Sequence, residues 1–106
     1  MIFTVNGVDW WLCYVRPNDE HLKRSNGTYT LGVTDNNDKT VYVATGLSDR
    51  LHDKVLCHEI VHAFCFSYGT DFDIYTEELI ADFLATYGRE VFNVADNILK
   101  RFLNVA

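Results

Sequence analysis

One run of residues restricts this chain more than any other: Cys57-His58-Glu59-Ile60-Val61-His62-Ala63-Phe64, an H-E-x-x-H inside an apolar segment. On an α-helix, residues four apart share a face, so His58 and His62 present their imidazoles to one point. Glu59 sits about 100° further around the helix, beside that point. Leu51, Val55, His58, His62, Cys65 and Phe66 recur at helical spacing, and the positions between Val55 and Phe66 are otherwise mostly apolar. A helix apolar all round is expected to be buried. Three ionisable groups on one arc of it then need a ligand or a neutralising partner, because burying them alone is costly. Two histidines at this spacing have the bite for a tetrahedral zinc, and Glu59 is placed to take a proton from a water held there. The plainer alternative is two hydrogen-bonded core histidines and a glutamate that reaches solvent. The triplet in its helical context favours the metal.

Local signals predict what surrounds this helix. Asn6-Gly7 between Phe3-Thr4-Val5 and Val8-Asp9-Trp10 reads as a hairpin turn, with the second strand running through Val15 and stopping at Pro17. Asn18 is a candidate cap for a short helical piece from Asp19 to about Arg24, followed by a turn at Ser25-Asn26-Gly27. Thr28–Thr34 and Lys39–Thr45 are rich in β-branched and aromatic residues and flank the polar run Asp35–Asp38, so a second hairpin is expected. Ser48 is the expected N-cap of the H-E-x-x-H helix, Asp49 lies in its positive first turn, and Gly69 is its expected stop. After a loop, Thr76 is the expected cap of a second helix that opens Glu77-Glu78. Its apolar residues continue at helical spacing to Phe102, as one helix or as two broken near Gly88.

A catalytic zinc takes three protein ligands and leaves a fourth position open. The acids that open the second helix are the next source of a ligand. Glu78 and Asp82 share a helical face, so Glu78 is a candidate ligand and Asp82 a candidate acceptor for the far ring nitrogen of a zinc histidine. Glu77, nearer the apolar arc, competes for the ligand position, and a solvated acidic face is the plain alternative for both. Tyr68, Tyr75 and His52 are candidates for a second group to stabilise an oxyanion. Cys57 and Cys65 read as small core hydrophobes.

His58-Glu59-x-x-His62 followed by Glu78-x-x-x-Asp82 resembles the gluzincin arrangement of zinc metallopeptidases. More closely, Glu78-x-x-Ala81-Asp82-Phe83-x-Ala85 resembles the E-x-x-A-N-x-F-A segment of the ImmA/IrrE family, and within it the short phage and prophage proteins, over about residues 28 to 92. Asp82 stands where that pattern has Asn. The longer metzincin pattern does not fit, because Cys65 and Tyr68 occupy the positions of its Gly and third His. The resemblance implies an α+β, minimal zincin-like fold, with a small antiparallel sheet packed on the H-E-x-x-H helix and a C-terminal helix. It also implies a zinc held by His58, His62 and Glu78, Glu59 as the catalytic base, and hydrolysis of a peptide bond in a specific protein target, a phage or host regulator. An edge strand near the active helix would pair with extended substrate, and Thr40–Thr45 is the expected one. The alternative is a zinc-stabilised binding module without catalysis.

The 106 residues suffice for a single domain spanning 1–106. A formal net charge of -6 without a basic cluster argues against nucleic-acid binding. No apolar run is of membrane-spanning length, which argues against a membrane partner. Three cysteines in no framework spacing, and an N-terminus without signal-peptide character, lead to the expectation of a reduced, cytoplasmic setting.

Overall fold

The computed structural model describes residues 1–105 and shows an α+β chain: a mixed four-stranded sheet and two long helices. The strands are β1 (Ile2–Val5), β2 (Val8–Val15), β3 (Gly32–Asp35) and β4 (Thr40–Ala44), and the helices are α1 (Asp49–Tyr68) and α2 (Ile74–Val105). β1 and β2 form the Asn-Gly hairpin, with Asn6 at φ 49° and Gly7 at φ 76°, the left-handed pair that a tight hairpin turn requires. β3 and β4 form the second hairpin.

The sheet is not the antiparallel one expected. Its order is β1-β2-β4-β3, and β2 pairs with β4 in parallel. The connection from Arg16 to Leu31 passes over the end of β4 to the far edge of the sheet, where β3 runs back antiparallel to β2 and returns the chain into β4. Residues 28–31 also stay out of β3. They fold back on the segment before them, with an isolated bridge between Lys23 and Tyr29 and Arg24 N–H donating to Thr28 O. The helical piece there is one 3-10 turn, Glu20–Leu22, capped by Asp19 rather than Asn18.

β4 is therefore central, not an edge, and all five of its residues are buried. Val41 and Val43 pack with Val5, Trp10 and Ala63 on the α1 side. Tyr42 and Ala44 pack with Leu22 of the 3-10 turn on the other. Covering on both faces explains why this strand is apolar at consecutive positions. The edge strand beside α1 is β3.

Ser48 caps α1, its hydroxyl accepting from Leu51 N–H at 3.3 Å, and Gly69 ends it in the left-handed region at φ 62°. Trp10, fully buried, donates its indole N–H to Ser67 Oγ at 2.8 Å and so ties β2 to the end of α1. α1 is buried where it meets the sheet and α2 but not all round; Phe64 and Phe66 stay 46% and 42% exposed. α2 starts three residues earlier than expected, capped by Asp73, which accepts from Thr76 N–H at 2.7 Å. It then runs unbroken through Gly88 for 32 residues. Among the described residues no helix is long and apolar enough to cross a membrane.

Candidate metal centre

α1 brings His58 and His62 to the side that meets the start of α2, and β3 closes the site from the sheet. His58 Nε2 and His62 Nε2 lie 3.2 Å apart. The Glu78 carboxylate faces both: Oε2 is 3.2 Å from His58 Nε2, and Oε1 is 2.8 Å from His62 Nε2. One donor atom from each of these three residues falls within 4.8 Å of the others. Of the two acids that competed for this place, the geometry puts Glu78 there. Glu77 turns instead to the far side of His62, its Oε2 2.5 Å from Nδ1. Asp82 does the same for His58, its Oδ1 2.9 Å from Nδ1. Asp82 thus stands where the sequence put it, whereas the placement of Glu77 was not foreseen.

These contacts test whether a zinc fits. With Zn–N bonds of 2.0–2.1 Å and Zn–O bonds of 2.0–2.2 Å, the edge of a ligand tetrahedron is about 3.3 Å; the two Nε2 atoms stand at that spacing, and each has a different oxygen of the one Glu78 carboxylate facing it. The ring orientations agree. When each Nδ1 donates to its carboxylate, a neutral ring turns a lone pair on Nε2 toward the other ring and toward Glu78. Two lone pairs and a carboxylate facing one another repel unless a cation lies among them. The residues fit the metal. Among the described residues the group has three members, and Cys65, one turn beyond His62, is not one of them.

Glu59 lies beside this group and is 7% exposed. Its Oε2 is 4.0 Å from His58 Nε2. Thr34 on β3 donates its hydroxyl to Glu59 Oε1 at 2.9 Å and lies equally close to the Glu59 backbone carbonyl. Burial pushes the Glu59 carboxyl above its ordinary range, and the Thr34 hydrogen bond works against that shift. Gly32 is there for clearance: a Cβ on it would stand 2.8 Å from Glu59 Cγ and from Val55 Cγ1. Thr34 and Gly32 carry no signal in a sequence scan, because they sit on a strand more than twenty residues before the base.

An open cleft of about 480 Å³ leads to the site. Thr30, Leu31 and Gly32 form one wall, Leu51 and Lys54 of α1 another, and His58, Glu59, Glu78 and Asp82 lie along it. Arg24, Tyr29 and Val55 complete the lining. The three residues considered for oxyanion stabilisation are not part of it. His52 Nε2 is engaged with the Tyr14 hydroxyl at 2.6 Å, Tyr68 stacks on Phe64, and Tyr75 is 73% exposed. No family model, curated protein or solved structure matches the chain.

Proposed function

We propose that the chain is a zinc-dependent metallopeptidase of the gluzincin type, acting on a peptide bond in a protein target, and that His58, His62 and Glu78 hold the metal. The observation that carries this reading is the layered arrangement around the group. Three donors converge, both histidines have their far nitrogen held by a carboxylate, and a buried glutamate stands alongside. Zinc bound there would act as a Lewis acid and make a nucleophilic water available at neutral pH.

The chain's own groups supply the rest. Glu59 takes the proton of the attacking water and returns it to the leaving amine, and Thr34 fixes the direction in which its carboxylate points. Elevation by burial brings its proton affinity nearer to what such a transfer needs. β3 is an edge strand whose neighbour on one side is β4, so its other side is open to an extended peptide pairing through backbone hydrogen bonds. Gly32 lets that backbone pass close to the base. The resemblance to short ImmA/IrrE-family proteins, the α+β architecture and the cleft at the start of β3 support the same reading. A zinc-stabilised binding module is the alternative. A structural zinc closes its fourth position with a protein ligand, and the three-membered group does not.

Glu59→Gln separates the two. In a peptidase it keeps the zinc and lowers hydrolysis of a peptide library at least a hundredfold, the scale of general base catalysis. Full activity in that variant would remove Glu59 from the chemistry. Zinc without any hydrolysis in the wild type would favour the binding module.

A further inference from the structure

α2 is longer than anything it packs on. Arg89 pairs with Asp53, near the start of α1, and from residue 89 to 104 every side chain of α2 is exposed. This half is nonetheless amphipathic. Asn93, Asp96, Asn97, Lys100 and Asn104 fall on one side, and the large apolar residues fall on the other. An isolated helix of this length is marginal in water, so the exposed apolar side calls for a partner.

The pattern of that side identifies the partner. Phe83, Tyr87, Val91, Val94, Ile98 and Phe102 form one stripe, each about half exposed or more. Their spacings are four, four, three, four and four, which read the same in both directions. We propose that two copies of the chain associate through this stripe, antiparallel, about a two-fold axis passing between Phe92 and Asn93. Phe83 then meets the partner's Phe102, Tyr87 meets the partner's Ile98, and Val91 meets the partner's Val94. The layers run from large side chains at the ends to small ones at the centre, and an isologous interface requires such self-matching. With half-exposed aromatics contributing on the order of 100 Å² each and the aliphatics somewhat less, the stripe and its flanking leucines would bury roughly 700 Å² per copy. That total falls within the range of specific, stable interfaces. A membrane surface is the other solvent for such a helix. Its polar side, however, mixes acids, bases and amides rather than being basic, and the chain is acidic overall.

The test is sedimentation equilibrium of the full chain over a wide concentration range, with the Val91→Glu/Val94→Glu double variant alongside. The wild type is expected to be a dimer. The variant is expected to be a monomer, or to dissociate at least about tenfold more readily, losing at most the far-UV helical signal of the half of α2 beyond Arg89. Orientation is read by oxidative cross-linking of Phe83→Cys and Phe102→Cys, above the wild-type background. Mixed together they should cross-link, and each alone should not, because the antiparallel arrangement separates like positions by about 28 Å. A monomeric wild type overturns the proposal, including one that instead binds anionic phospholipid vesicles. A dimer indifferent to the two glutamates, or cross-linking by either single cysteine variant alone, also overturns it.

Discussion

Glu77 and Asp82 do equivalent jobs on opposite sides of the site. Each faces the Nδ1 of one histidine, so that each Nε2 is free to bind. Glu77 is the more consequential of the two, because it is buried whereas Asp82 is open to solvent. Removing it in Glu77→Ala should weaken zinc binding by about 10–100-fold, and Glu77→Gln, whose amide oxygen still accepts, should lose less. Competition against a chromophoric chelator measures both, and unchanged affinity in Glu77→Ala would mean that His62 is oriented by something else. The sequence marks His58, Glu59 and His62 outright, because their spacing is set by one helix. It leaves Glu77 and Glu78 open, because neighbours 100° apart swap roles according to how α2 is rotated against α1. That rotation is a property of packing, and so is the approach of Thr34 and Gly32 to Glu59.

At the scale of elements, much of the local chemistry was legible, although two caps fall on Asp19 and Asp73 rather than Asn18 and Thr76; neighbour relations were not. The Asn6-Gly7 turn, the Ser48 cap and the Gly69 stop all stand where the sequence put them, since each depends on one or two residues. The place of β4 at the centre of the sheet depends on a crossover that no local pattern encodes, although its unbroken apolar run is what a doubly covered strand looks like. Tyr42 shows the consequence of that covering. Burial, together with a hydrogen bond from its hydroxyl to Asp38 Oδ2 at 2.8 Å, pushes its phenol up from 10.0 to about 12. Between those values the unfolded chain releases a proton that the folded chain retains, so ionisation favours unfolding. The stability present below pH 10 is lost as the pH rises through this window. Tyr42→Phe should cost about 1 kcal/mol at pH 8 through the lost hydrogen bond. The gap to wild type should narrow by pH 11, as read by urea denaturation at the two pH values. A gap that stays constant or widens would show that this phenol does not titrate differently in the two states.

At the scale of the whole molecule, the chain is a small sheet with two helices that meet at the proposed metal and stay together as far as the Arg89–Asp53 pair, beyond which α2 continues alone. The principal extents of 57 × 31 × 28 Å reflect the free half of α2. Sequence periodicity carries α2 to its end but says nothing about what covers it, because amphipathicity specifies a buried side and not a partner. In the proposed site, two ligands come from α1 and one from α2, so metal binding would clamp the helices together and be coupled to folding. The most direct measurement is zinc content by elemental analysis, on protein purified without chelator or affinity-resin metal, for wild type and Glu78→Ala. About one zinc per chain in the wild type, with most of it lost in the variant, is the predicted result. A wild type that carries no zinc and takes up none when it is added would contradict the metal site and leave a cluster of paired histidines and acids in its place.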